Sequence, residues 1–539
     1  MEQSEKPIFE DGVWKGIVKP PMKDWQRFRS TLLERLNKYP FRVSQIDALT
    51  GHKELYGDMA DRITSCAVWL KKQNVQPGDI IGICSYNNLN TVVPLIASLL
   101  VGALPNSWWD ATLTDDMIKY FLNLTKPKII FSDERKYKRI KEVVDETGEY
   151  INIVCLNDAP GFECLSHIIE TQDSDELEKF KCEDLQDLRE PALILYTSGT
   201  SGYPKGCVVP YGWLMSELLP ISETPDIILG PAGISWVTGL MTALITVESC
   251  ATLVIHPRPN EEVIMEIVQK YKVKRIVCFN TAYVIRLWKT KNLKCYDFSS
   301  LEYIMIGGSA MPPGVDEFAQ RFFKNAMIVH GYGCTELYAL TTRFGWTDKP
   351  ASCGHVARNV HLKIIDVDTG KTLGPNQEGE LCAKYPYRML GYLNNPEATK
   401  AVYDDEGWYH SGDLAYYDDD GEFFIVDRLK ELIKFRIVFH IAPGVIEKVI
   451  LSNPGVLEAA VVARPHWEDV EQPMAFITLH SDAKVTENDI IDLIAKNLPD
   501  HMQLRGGVVI LDKFPYTNSG KVAKVELKRM MKSLVGSEK

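Results

Sequence analysis

Short runs of β-branched and aliphatic residues recur through the first two thirds of the chain, each followed by a helix-length amphipathic stretch. Ile80-Ile81-Gly82-Ile83-Cys84, Lys128-Ile129-Ile130-Phe131, Leu193-Ile194-Leu195-Tyr196, Leu253-Val254-Ile255, Arg275-Ile276-Val277-Cys278, Tyr303-Ile304-Met305-Ile306 and Met327-Ile328-Val329 are continuous rather than alternating. A strand with apolar side chains on both faces needs cover on both, so these runs predict a mainly parallel sheet between layers of helices, an α/β fold. Beyond residue 355 the texture changes. Val360 to Val367, Gly379 to Cys382 and Gly421 to Val426, with turn residues such as Asp366-Val367-Asp368-Thr369-Gly370, predict antiparallel hairpins and a β-rich subdomain. Past Asp427 come a helix at Glu447 to Leu451, strands at Leu457 to Ala463 and Ala475 to Leu479, a helix from Glu487 and a strand at Val508 to Leu511. That is enough for a small α+β unit. The chain is expected to divide into residues 1–427 and 428–539 at the short charged segment Asp427 to Glu431. A short linker between two α/β units suggests a hinge over a cleft, where ligands bind.

A length of 539 residues corresponds to three or four units at ~150 residues each, and 45% hydrophobic residues can build a large core, which excludes global disorder. The net charge of −12 carries no long single-sign run, which argues against a nucleic-acid groove. The closest of the twelve cysteines are Cys155 and Cys164, so there is no CxxC metal or redox pair; they read as small buried hydrophobes in a reducing compartment. The segment from Met1 has no apolar signal core, and the apolar stretches Val92 to Leu104 and Ile234 to Val247 are interrupted by Pro94 and Gly239. A soluble, intracellular, cytoplasmic protein without a membrane span is expected, a monomer or weak homodimer, and Gly536-Ser537-Glu538-Lys539 is not a peroxisomal tripeptide.

Four short segments carry candidate chemistry. Tyr196-Thr197-Ser198-Gly199-Thr200-Ser201-Gly202-Tyr203-Pro204-Lys205-Gly206 follows a strand, and its glycines and hydroxyls let backbone N–H groups approach phosphate oxygens while Lys205 adds a compact charge. Phosphate binding is the natural reading, a flexible surface loop the alternative. It is not a Walker A loop, because Tyr203-Pro204 separate glycine from lysine. Gly307-Gly308-Ser309-Ala310-Met311 lacks the last glycine of a nucleophile elbow. Gly331-Tyr332-Gly333-Cys334-Thr335-Glu336 lies just past a strand and, taken singly, is equally a structural turn. Tyr409-His410-Ser411-Gly412-Asp413-Leu414 and Val426-Asp427-Arg428 offer a carboxylate on a turn and an arginine that suit sugar hydroxyls, or are solvated surface charge. Pro515-Tyr516-Thr517-Asn518-Ser519-Gly520-Lys521 places a lysine at the tip of a glycine turn, able to reach into a cleft or simply decorating the surface.

Taken together, these types in this order resemble the adenylate-forming enzymes: acyl- and aryl-CoA ligases, firefly luciferase and peptide-synthetase adenylation domains. The resemblance runs from about residue 30 to 535, and Gly370-Lys371-Thr372-Leu373-Gly374, Gly391-Tyr392-Leu393-Asn394-Asn395-Pro396-Glu397-Ala398-Thr399 and Leu504-Arg505-Gly506-Gly507-Val508-Val509 are similar to the insect luciferase and coumarate-ligase branch. It implies a carboxylic acid substrate, Mg-ATP, an acyl-adenylate and pyrophosphate. Ser198, Gly199, Thr200, Ser201, Gly202 and Lys205 would hold the β and γ phosphates, and Gly307, Gly308, Ser309, Tyr332 and Gly333 would flank adenine. Thr335 would meet the α-phosphate, Glu336 the Mg²⁺, Asp413 and Arg428 the ribose. Lys521 would bridge carboxylate and α-phosphate, Trp236 and Gly239 would belong to the acyl pocket, and the small mobile domain would turn about Lys430.

Two segments depart from the family. CoA ligases of this branch carry a Lys-Gly-aromatic-Gln run after the position of Lys434, whose glycine opens the way for pantetheine. Here Phe435-Arg436-Ile437-Val438-Phe439-His440-Ile441-Ala442-Pro443 is one residue longer, has no glycine and places His440 where Gln is expected. Bulky residues there are expected to narrow or remodel that route. In Gly233-Ile234-Ser235-Trp236, the tryptophan stands where firefly luciferases have His. The expected second step is thioester formation with CoA; the alternatives are a luciferase-type oxidation with O2 and light emission, and a non-catalytic sensor of a nucleotide or acyl-adenylate.

Overall fold

A computed structural model of the chain describes residues 6–108, 113–197, 203–215, 226–290, 293–309, 311, 313–345, 347–349, 351–436, 439–517 and 521–536. Two large sheets dominate the part before residue 350. In the first, strands Ile80–Cys84, Leu104–Ser107, Ile129–Ser132, Asn152–Cys155 and Pro191–Tyr196 run parallel, and Gly206–Pro210 and Gly391–Tyr392 extend it antiparallel. In the second, Val43–Asp47, Thr252–Ile255, Ile227–Leu229, Arg275–Asn280, Tyr303–Gly307 and Met327–Cys334 are parallel neighbours, with antiparallel strands at both edges.

The helices Phe28–Lys38, Tyr56–Lys72, Val92–Val101 and Val237–Ser249 share one buried core with residues of both sheets. Every residue of Val92–Val101 is buried, so it reads as apolar all round, and Pro94 is tolerated because the first-turn N–H groups need no intrahelical acceptor. Helices Asp115–Thr125 and Glu134–Thr147 cover the outer face of the first sheet, and Glu261–Tyr271, Thr281–Lys289 and Pro313–Phe322 that of the second. The continuous runs are therefore covered on both sides.

A six-stranded antiparallel sheet follows, ordered Ile8–Glu10, Val13–Lys15, His361–Ile365, Gly379–Lys384, Tyr409–Tyr417, Phe423–Arg428. Its first hairpin comes from the start of the chain and joins through His361 opposite Lys15. After the single turn Leu429–Glu431 a separate five-stranded sheet begins at Ile433, with its own core of Ile433, Phe435, Ile446, Val461, Ile477 and Ile490. Helix Pro443–Leu451 starts four residues before the sequence reading places it, with Pro443 in its first turn. Of the described cysteines eight are buried and all are free, and Cys295 is exposed. Among the described residues no helix is long and apolar enough to cross a membrane.

Candidate active site

The parallel strands Arg275–Asn280, Tyr303–Gly307 and Met327–Cys334 end together, and the carboxyl ends of such strands are where open α/β sheets bind ligands. Gly307 is in register with Asn280 and Gly331, and the buried Thr281 hydroxyl donates to the Ser309 carbonyl at 3.0 Å. Here the structure corrects the sequence reading. Gly331-Tyr332-Gly333-Cys334 does not lie past the strand but continues it, paired with Tyr338–Phe344 across a bulge at Tyr332/Gly333. A Cβ on Gly333 would sit 2.0 Å from the Tyr338 carbonyl oxygen, so the hairpin closes only over a glycine. Behind this strand lies a buried polar cluster. His330 stands in register with Arg343, whose guanidinium donates to Asp316 at 2.8 Å and to the Ser352 carbonyl at 3.1 Å. Neither ring nitrogen of His330 has a hydrogen-bond partner among the described residues, and burial, with the Arg343 charge, brings its pKa down to about 4.

Asp413 is likewise not on a turn: it stands within strand Tyr409–Tyr417, opposite Arg428 of the neighbouring strand. Gly412, at φ +67°, bends that strand as few other residues can, and its N–H donates to Glu380 Oε1 at 3.0 Å. The Asp413 carboxylate is 4% exposed. Arg428 Nε meets one of its oxygens at 2.7 Å and the Tyr332 hydroxyl donates to the other. Burial raises the carboxyl pKa, and Arg428, Tyr332, Lys521 and Lys430 oppose that.

Ser198 to Gly202 lie outside the described residues. The loop's ends are pinned: the Thr197 N–H donates to the Lys205 carbonyl at 3.0 Å, Tyr120 Oη donates to the Pro204 carbonyl at 2.7 Å, and Tyr203 stacks on Tyr120 with centroids 4.5 Å apart. The Lys205 ammonium lies 4.5 Å from the ring centroid of Tyr392. Tyr392 Oη donates at 2.6 Å to Oε1 of Glu336, a carboxylate in a residue only 7% exposed. The other oxygen of Glu336 has no hydrogen bond among the described residues, and a hard carboxylate oxygen left free in this way fits a magnesium ion. Thr335 precedes it, half-buried.

Lys521 reaches this region from the smaller unit. Its turn is held by Thr517, whose N–H donates to the Lys521 carbonyl at 2.7 Å, and by the bridge of Tyr516 with Val522. Lys521 is exposed as a residue, but the neighbouring protein atoms partly desolvate its ammonium and, with the nearby Arg428 charge, lower its pKa, while Asp413 acts the other way. Lys528 pairs with Glu431 at 3.0 Å and the Gly444 N–H donates to Asp427 at 2.8 Å, so both sides of the Leu429–Glu431 turn are engaged. Desolvation and the Arg428 charge likewise lower the Lys430 pKa. Lys205, Arg428, Lys430 and Lys521, the buried residues Asp413 and Glu336 and the rings of Tyr332 and Tyr392 thus lie in one region, a set suited to a base, a sugar and a polyphosphate.

A family model described as AMP-binding enzyme matches residues 32–393, and one described as AMP-binding enzyme C-terminal domain matches residues 445–521. The chain belongs to the AMP-binding enzymes. It is 31% identical over 525 residues to a luciferin 4-monooxygenase of Nipponoluciola cruciata, covering 93% of this chain and 94% of that one. It is 30% identical over 515 residues to 4-coumarate–CoA ligase 2 of Nicotiana tabacum, covering 93% of each. The fold is shared with the ATP-bound crystal structure of MatB from Rhodopseudomonas palustris, at a TM-score of 0.83 and 23% identity over 94% of this chain and 99% of that one. This AMP-binding enzyme is therefore an ATP-dependent, acyl-adenylate-forming enzyme.

Within the enzyme, other residues singled out from sequence stand apart from this cluster. Trp236 is half-buried at the N-terminal end of helix Val237–Ser249. Gly239 packs against the Gly233 carbonyl and, with Gln45, Asn87, Ile234 and Thr242, lines a cavity of about 30 Å³. Lys434 and His440 face each other, exposed, on the hairpin Ile433–Phe435/Phe439–Ile441, whose Ile437 and Val438 lie outside the described residues. That hairpin is clamped. Arg436, at φ +49°, donates from Nε to Asp469 Oδ1 and from its backbone to the Asp469 carbonyl, both at 2.7 Å. Phe439 stacks on His501 with centroids 4.4 Å apart. Sequence reasoning missed Tyr392, Tyr120 and Tyr203 as site residues. Tyr392 stood in the quoted Gly391-to-Thr399 segment, but only its placement against Lys205 and Glu336 gives it meaning.

Proposed function

We propose that this enzyme activates a medium- or long-chain or aryl carboxylic acid with Mg-ATP and then transfers the acyl group to CoA. The observation that carries the reading is Lys521, brought from the C-terminal unit into the field of Asp413 and Arg428. In the first step a carboxylate oxygen attacks the α-phosphorus, the α–β anhydride bond breaks and pyrophosphate leaves. Asp413 and Arg428 bind the ribose, and Tyr332 with Gly307, Gly308, Ser309 and Gly333 holds the base. Lys205 and the Ser198-to-Gly202 loop take the β and γ phosphates, with Thr335 at the α-phosphate. Lys521 balances charge as the bond forms, the electrostatic share of catalysis that dominates such reactions. Glu336 would hold the magnesium, which neutralises phosphate charge. In the second step the thiol sulfur attacks the acyl carbon and AMP leaves, after the small unit turns about Lys430 and brings Lys434 and His440 to the site.

A second reading, oxidation of the adenylate with O2, is supported by the luciferin monooxygenase relatives and by the altered hairpin after Lys434. Purified protein with Mg-ATP and a panel of carboxylic acids, with and without CoA, separates them by pyrophosphate, thioester and photon yield. Pyrophosphate with thioester is expected. Pyrophosphate with light but no thioester would replace the CoA step, and no turnover with any acid would overturn the reaction altogether.

A further inference from the structure

Residues 389–393 are stitched to both catalytic loops at once. The Met389 N–H donates to the Glu336 carbonyl at 2.8 Å, and the Leu393 N–H donates to the Gly206 carbonyl at 2.7 Å, one residue past Lys205. Between those anchors Tyr392 pairs with Cys207 in the sheet, and its N–H donates to Thr399 Oγ1 at 2.8 Å. The backbone therefore fixes where the Tyr392 ring stands relative to Lys205 and Glu336.

The side chain offers a different surface to each. Its π face carries the negative side of the ring quadrupole and takes the Lys205 ammonium at 4.5 Å from the centroid; its hydroxyl, in the ring plane, donates to Glu336. A lysine and a carboxylate on facing loops would otherwise pair directly. No Lys205–Glu336 ion pair occurs among the described residues; the ring face takes the ammonium and the hydroxyl takes the carboxylate instead.

We infer that Tyr392 is a positioning residue that holds Lys205 and Glu336 apart and pre-aimed, so that Mg-ATP meets two separate groups rather than a pair it must first break. The lysine then exchanges a ring face for phosphate oxygen. This rests on the roles given above to Lys205 and Glu336, and it goes beyond them in assigning a third residue that satisfies both before the nucleotide arrives.

The test is equilibrium ATP binding without magnesium, by titration calorimetry, in two backgrounds. Tyr392→Leu removes the ring, lets the charges pair and is expected to weaken ATP binding about tenfold. In Glu336→Gln there is no carboxylate for Lys205 to collapse onto, so adding Tyr392→Leu should cost nothing further. An equal loss in both backgrounds marks a merely structural role and overturns the inference, as does no loss in either. Tyr392→Phe keeps the ring and should bind ATP as the wild type does, while the Mg²⁺ concentration for half-maximal pyrophosphate release rises about threefold through the lost hydroxyl; an unchanged magnesium requirement overturns the hydroxyl's part. Should Tyr392→Leu fail to fold, Tyr392→Met, which also lacks the aromatic face, takes its place in the same two backgrounds with the same expected and overturning results. Wild-type protein that binds ATP but releases no pyrophosphate with any acid would overturn the reaction proposed above and leave the Tyr392 binding comparison standing.

Discussion

The nucleotide cleft and the hairpin Ile433–Phe435/Phe439–Ile441 are held together in opposite ways. In the cleft, backbone registers do the placing: Asp413 faces Arg428, Gly307 faces Gly331, and Gly391-Tyr392 lies against Val208 and Cys207. In the hairpin, the ladder is three residues long and side chains do the holding, through Arg436 on Asp469 and Phe439 on His501. A site set by sheet register cannot rearrange without breaking many bonds; one held by a few side-chain contacts can be loosened one substitution at a time. On the function proposed above, the first half-reaction would use the register-set part of the molecule and the second would depend on the side-chain-held hairpin.

Three measurements would break or sharpen that contrast. Lys521→Ala is expected to slow pyrophosphate release about 100- to 1,000-fold while changing ATP affinity only severalfold, since the lysine acts as charge develops; equal losses in rate and binding would remove it from the chemistry. Because desolvation and Arg428 lower its pKa, the rate should also decline on the alkaline side at lower pH than a free lysine would dictate.

Next in size is His330, under the register-set side. Its folded-state pKa of about 4 lies below its ordinary value of 6.5, so above pH 6.5 it is neutral folded or unfolded and contributes nothing to pH dependence. As the pH falls from 6.5 towards 4 the unfolded chain takes a proton that the folded one refuses, and stability drops by about 3 kcal/mol in all. His330→Gln should flatten urea-unfolding free energies across that window, and an unaltered slope would place the acid sensitivity elsewhere.

The smallest effect is at the hairpin. Arg436→Gly removes the Asp469 clamp and suits the positive φ, so folding should be little changed while the thioester yield per pyrophosphate rises about threefold. Asp469→Asn should do the same without touching the hairpin backbone. If neither moves the yield, the hairpin does not limit CoA access.

Much of this was visible in the residues themselves. The continuous runs such as Ile80 to Cys84 announce strands covered on both faces, because burial on both sides leaves no polar position to alternate. What escaped depends on partners far along the chain. Asp413 was expected on a turn because Ser-Gly-Asp is turn chemistry, yet pairing with Gly379–Lys384 on one side and Phe423–Arg428 on the other outweighs that local preference. Gly331-Tyr332-Gly333 was expected to end a strand for the same reason, and the Tyr338–Phe344 partner continues it. Tyr392 lies 187 residues from Lys205 and 56 from Glu336, so no local pattern could mark it. The Ser198-to-Gly202 loop and the middle of the altered hairpin fall outside the described residues, and their roles stay with the proposals above.

The hairpin Ile8–Glu10/Val13–Lys15 has a consequence for how the protein is made. It leaves the ribosome well ahead of its neighbours in the sheet, which lie between His361 and Arg428. At roughly 5–20 residues per second, the hairpin waits on the order of 20 to 80 seconds for its partners. Throughout that time Phe9 and Trp14 have each other but not Tyr417, against which both are later packed. A segment made early is thus completed late, and until its partners arrive its edge is open to pairing with a neighbouring chain.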